Sequence, residues 1–139
     1  MVKSQDVLND EQDFLNAKDN IQVRKGTIAA TLLNAKALDE LFKEPESKEK
    51  KAKFNEVVQD IRDLVPSLHG VNLFQFFTPI EWFQAPSGSF QQGRAFVAVL
   101  YLQQYPQFLD KNIQARLREI EKEAVPELKK EIQMLQSLI

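Results

Sequence analysis

The 139-residue sequence contains no cysteine, one histidine, four glycines and two methionines, and each scarcity excludes a class of chemistry. Without cysteine there is no disulfide, no thiolate zinc ligand, no cysteine nucleophile and no thiol switch, a composition compatible with a reducing compartment and read here as cytoplasmic. A lone His69 cannot complete an HExxH or ExxH metal motif, and the acidic residues around Asp10 lack the central glycine of an EF-hand loop. No cofactor motif is recognisable, and none is expected. The longest uninterrupted apolar run, Ala95–Leu102, falls short of the roughly 18–20 residues that span a bilayer. The start, Met1–Asp6, lacks the apolar core of a secretory signal, and residues 1–5 read as a flexible leader.

An excess of charge of either sign is also missing. Eighteen basic and twenty acidic side chains leave a net charge of −2, too little field to attract polyanions, so a nucleic-acid partner is not expected. The one basic cluster, Lys48, Lys50, Lys51 and Lys53, is interrupted by Glu49 and has no interleaved aromatic on which a base would stack. It reads as the solvated start of a helix.

What is present is unevenly placed. The stretch 64–109 holds Glu81 and Arg94 as its only charges, while Leu73–Phe108 holds ten of the thirteen aromatic residues. Two charged flanks around an apolar middle, in a chain of single-domain length, predict one domain over 1–139 with an ample core.

Periodicity predicts helices along most of the chain. Residues 4–19 allow a helix with a narrow apolar stripe at Val7, Leu8, Phe14 and Leu15; Ile21–Arg24 alternates like a short edge strand. Thr27 is placed as the N-cap of a helix through Phe42, its uncharged first two turns expected to be the more deeply buried. Ser47 caps the clearest helix, in which Phe54, Val57, Val58, Ile61, Leu64 and Val65 share one face. Pro66 is expected to end or kink it, with His69-Gly70 a second stop. Thr78-Pro79-Ile80-Glu81 has the form of a capping box with proline at the first helical position. Ser89 with Gln92 suggests another box, opening a buried helix over Ala95–Leu102, for which a strand is the alternative. Asp110 caps the last segment, where apolar residues recur from Ile113 to Leu138 and Pro126 imposes a kink or a restart. The fold class is therefore all-α, an irregular bundle of five or six helices, or α+β if Ile21–Arg24 or Ala95–Leu102 pair as strands.

Few residues invite chemistry. Gly88 and Gly93 have the spacing of a phosphate loop, but Arg94 replaces its lysine and Ala95 its metal-binding hydroxyl. A weaker anion contact through Ser87, Ser89 and Arg94 survives that loss. Glu81 is accounted for by the capping box, Arg94 by snorkelling from a helix start, and His69 by the free carbonyls of a helix end. The aromatic middle is more informative. Leu73-Phe74-Gln75-Phe76-Phe77 crowds too many large apolar side chains for one buried face, so some of Phe74, Phe76 and Phe77 must meet a second surface. Together with Trp82, Phe83 and Phe96 they form the candidate apolar surface or pocket. The expectation is a non-catalytic module that binds a protein partner or a second copy of itself; the alternative is a small apolar or anionic ligand, its polar end oriented by Arg94 or Tyr101.

Overall fold

The computed structural model describes residues 14–16, 22–24, 26–84 and 91–139. Two three-residue strands, β1 (Phe14–Asn16) and β2 (Gln22–Arg24), pair antiparallel with Leu15 opposite Val23. Of the edge strand expected at Ile21–Arg24, Gln22–Arg24 is present in that hairpin and Ile21 lies outside the described residues. The helix expected over 4–19 is not what forms at its C-terminal end, where β1 stands; the rest of that span and the leader at 1–5 lie outside the described residues. Narrow apolar stripes give a helix little to bury, and pairing with an alternating segment satisfies the backbone instead.

The remaining architecture is helical. It comprises α1 (Thr27–Leu41), α2 (Lys48–Gly70), the single turns α3 (Leu73–Phe76) and α4 (Pro79–Trp82), α5 (Gln92–Gln104), a 3-10 turn at Pro106–Phe108, α6 (Lys111–Glu121) and α7 (Pro126–Gln136). Ala95–Leu102 is thus helix, and all eight of its residues are buried, because α5 runs through the middle of the bundle against α1, α2, α4 and α7. A helix apolar all round is stable only when covered all round. No helix among the described residues is long and apolar enough to cross a membrane.

Several ends follow their sequence signals. Ser47 Oγ accepts from the Lys50 amide at 3.0 Å and Asp110 Oδ1 from the Ile113 amide at 2.8 Å. Glu81 reaches back to the Thr78 amide at 2.7 Å, completing the capping box. Pro126 restarts the chain as the first residue of α7. Beyond it, Leu128, Ile132 and Leu135 are buried while Leu138, past the helix end, is exposed.

Other ends differ, for identifiable reasons. Gly26, not Thr27, occupies the N-cap of α1; Thr27 is already helical, and its carbonyl accepts from the Thr31 hydroxyl at 2.9 Å. Burial along α1 follows one face, Ala30, Thr31, Asn34, Ala35, Leu38 and Leu41, so Ile28, Leu32 and Leu33 are exposed although the segment is uncharged. The first turns are not buried more completely than the last. Gln91, rather than Ser89, is the N-cap of α5, and Gln92 is used elsewhere: its side chain donates to the Glu123 carbonyl at 3.1 Å and accepts from the Val125 amide at 3.0 Å. It thereby clasps the α6–α7 junction to α5.

Helix α2 neither ends nor breaks at Pro66; it continues to Gly70. Proline at this position deprives the Arg62 carbonyl of its usual amide partner. That carbonyl instead accepts from Gln104 Nε2 of α5 at 3.1 Å. Arg62 also anchors the far side of the bundle, donating to Gln103 Oε1 at 3.2 Å and to Glu131 Oε1 of α7 at 2.9 Å. The basic cluster at the start of α2 is not uniformly solvated either: Lys50 is buried, its ammonium held by the Glu44 carbonyl at 2.9 Å and the Glu46 carboxylate at 2.7 Å. That ammonium holds the Glu46 carboxyl below the usual carboxylate range.

Candidate functional site

The crowded Phe74–Phe77 segment resolves into an inside and an outside. Asn72 takes a left-handed conformation, φ 60°, and turns the chain out of α2 into α3. This sharp turn carries Leu73 and Phe74 into the core, leaving Phe76 and Phe77 76% and 54% exposed. Phe77 is the C-cap of α3 and Thr78 is already the N-cap of α4, so the two exposed aromatics stand at the junction of these single turns.

Behind this protrusion lies a stack of rings. Phe74 packs face to face on Tyr101 of α5 at 4.0 Å between centroids, and Trp82 lies 5.2 Å from Phe74. Tyr101 also meets Phe108 at 5.9 Å, and His69 stacks on Tyr105 at 4.0 Å. The Tyr101 hydroxyl lies 3.5 Å from Nδ1 of His69. Burial, reinforced by the neighbouring Tyr105, pushes that hydroxyl up to about 12.

Phe74, Tyr101, Phe108, Pro79, Ile80 and Ile113 form the apolar walls of a groove of about 480 Å³. Its rim is made by Gln75, Thr78, Asp110 and Asn112. Asp110 is the one charged residue among those described in its lining, and its carboxylate is engaged in capping α6. Phe76 and Phe77 stand in the chain between Gln75 and Thr78, both of which line the groove. Protrusion and recess are therefore neighbours.

The residues singled out in the sequence separate accordingly. Phe74 lines the groove and Phe76 and Phe77 flank it, whereas Trp82, Phe83 and Phe96 are buried in the core. Phe96 packs with Phe42 and Phe54 in a separate aromatic group. Arg94 sits over the Trp82 ring, 5.5 Å from its centroid, and donates to the Gln84 carbonyl at 3.4 Å. Ser87, Ser89 and Gly88 lie outside the described residues. Gly93 has a packing reason of its own: a Cβ there would come 2.0 Å from the Ala35 carbonyl oxygen, and its amide donates to Asp39 Oδ1 at 2.7 Å. His69 lies in the last turn of α2, as expected. Among the described residues, no three of the histidine, aspartate and glutamate side chains converge as metal ligands.

Phe108, Pro79, Ile80 and Ile113 are groove residues that the sequence reading did not select. A signal for Phe108 exists, since Tyr101, Tyr105 and Phe108 are spaced four and three apart and continue one aromatic stripe from α5 through the 3-10 turn. Ile113 gives none, because only the return of α6 brings it alongside.

A family model matches residues 3–106, more than half of the chain. The chain belongs to the family described as Domain of unknown function (DUF7709). No curated protein and no solved structure matches it. The DUF7709 span contains the protruding Phe76 and Phe77 and the groove wall made by Phe74 and Tyr101. The opposite wall, with Phe108, Asp110, Asn112 and Ile113, lies beyond the matched residues.

Proposed function

We propose that this chain is a non-catalytic interaction module whose aromatic face associates with the same face of a second copy. The observation that carries this reading is the adjacency of a knob, Phe76 and Phe77, to a hole walled by Phe74, Tyr101 and Phe108. A two-fold interface uses one patch on both copies, so the patch must contain both shapes. Four rings, two from each copy, supply about 500 Å² of the roughly 1,200–2,000 Å² that a stable interface buries, so a stable contact must extend over the surface surrounding the rings and the groove. The titratable groups beside the face already have structural duties: Glu81 in a capping box, Asp110 as a cap, His69 in a ring stack. That supports association rather than catalysis.

Light scattering on the eluting protein is the test. The expected mass is twice the 16.0 kDa of the chain, reverting to the single mass when Phe76→Asp and Phe77→Asp are combined with the helical circular dichroism unchanged. A wild-type chain that stays monomeric up to about 1 mM, where only the weakest specific contacts escape detection, overturns the reading.

A small-ligand binder is the second reading, favoured by a groove volume of about 480 Å³, inside the range of roughly 300–1,000 Å³ typical of ligand sites. With one acid and no base among its described lining, the groove suits a neutral or cationic apolar molecule better than an anion. Native mass spectrometry of the freshly purified chain tests it, with a retained mass as the expected result.

A further inference from the structure

A second recess lies between α1 and α2 and shares no residue with the aromatic groove. It measures about 310 Å³, and its apolar floor is Ala37, Leu41 and Val57. Glu40, Glu44, Glu56 and Asp60 line it against a single base, Lys53. None of these four carboxylates is in an ion pair among the described residues.

Asn34, at the buried side of this recess, is 0% exposed, and both Nδ2 and Oδ1 lack a hydrogen-bond partner. A buried amide with neither atom satisfied is costly, and cores dispense with such groups unless something completes them. An alanine or leucine would fill the same helix face without that cost. Oδ1 asks for a donor and Nδ2 for an acceptor, the pair that another carboxamide presents. The acidic rim asks for positive charge, and because no three of its carboxylates converge as metal ligands, an extended organic cation matches it better than a metal ion.

We propose that the α1–α2 recess binds a small aliphatic ammonium compound carrying a carboxamide, the amide pairing with Asn34 as the side chains that cover it move aside, and the ammonium lying among Glu40, Glu44, Glu56 and Asp60. The floor of Ala37, Leu41 and Val57 accommodates the methylenes between the two groups. Binding is thus two-point, and each point is separable by chemistry.

Isothermal titration of the full chain with three probes tests this: lysinamide, which has both groups; pentane-1,5-diamine, which has only the ammonium ends; and hexanamide, which has only the amide. Lysinamide is expected to bind about tenfold or more tightly than either of the others, the difference that one satisfied buried amide pairing supplies. Combining Glu56→Gln with Asp60→Asn weakens lysinamide and diamine together, and raising the salt does the same. Asn34→Leu brings lysinamide down to the diamine's affinity and leaves the diamine unchanged. If that variant does not fold, the side-chain amide signals of Asn34 in the wild-type NMR spectrum serve instead, and they shift with lysinamide and not with diamine. Lysinamide binding no tighter than diamine, Asn34 signals unmoved at saturating lysinamide, or no heat with any probe overturns the proposal.

Discussion

At the scale of single residues, Gly93 and Tyr101 show how little tolerance the centre of the bundle has. The close approach of α5 to α1 depends on the missing side chain of Gly93, whose place is taken by the Ala35 carbonyl oxygen. The obstructing atom belongs to backbone in the middle of a helix, so it has no rotamer by which to yield. Gly93→Ala is therefore expected to destabilise the chain by about 3 kcal/mol, the upper part of the range for overpacked cores, despite alanine's better helix propensity; urea denaturation measures it. Tyr101 is constrained electrostatically. It loses its proton near 10 when unfolded and at about 12 in the native protein, where it is buried among Phe74, His69, Tyr105 and Phe108. Between those two values the native state holds a proton that the unfolded state has released, so stability falls as pH rises through the window and is unaffected by this group below it. Melting temperatures followed across this alkaline range should drop more steeply for the wild type than for Tyr101→Phe.

At the scale of elements, what the sequence revealed and what it hid have the same origin. Periodicity reports which side of a helix meets the core, and on α2 it named Phe54, Val57, Val58, Ile61, Leu64 and Val65, of which Val58, Ile61 and Val65 are buried and the other three half-buried, because charged and polar residues occupy the other side. On α1 the absence of charge between Ile28 and Ala35 suggested that the first two turns are buried more completely than the end, yet a helix packed on one side needs only one face, and Ile28, Leu32 and Leu33 remain outside it. Caps made from a side chain and a nearby amide, at Ser47, Thr78 and Asp110, were legible because both partners lie within one turn. At Pro66 the sequence left an end and a kink both open before the stop at Gly70, because the bond that lets α2 continue comes from Gln104, distant in sequence. The candidate site divides the same way: crowding in Phe74–Phe77 announced an outward face, whereas the wall at Ile113 and the orphaned amide of Asn34 needed the tertiary fold. The Pro66 arrangement has a measurable cost. A proline in a helix interior typically costs about 3 kcal/mol, part of which the Gln104 bond recovers. Pro66→Ala is thus expected to raise the urea midpoint, by an amount equivalent to about 1–2 kcal/mol, with the denaturant slope unchanged.

At the scale of the whole molecule, the arrangement is one core cluster shared by all the longer helices, with α5 at its centre and few independent parts. Links that join elements distant in sequence are concentrated on this helix and its ends: Gly93 to Asp39, Gln92 to the α6–α7 junction, Gln103 to Glu131, and Gln104 to Arg62. The aromatic face depends on that same axis, because Tyr101 of α5 stacks with both Phe74 and Phe108. For the association proposed above, a surface anchored on the central helix limits the ordering cost of binding.

The enclosure of Ala95–Leu102 in α5 also sets a clock. An amide proton there reaches water only when the helices around it separate, so local fraying, which serves the ends of α6 and α7, offers no route. In deuterium oxide the amides of Val97–Leu102 are expected to be the last to exchange, all at one shared free energy equal to that of global unfolding. Their common rate would then report the stability of the entire chain from six consecutive residues.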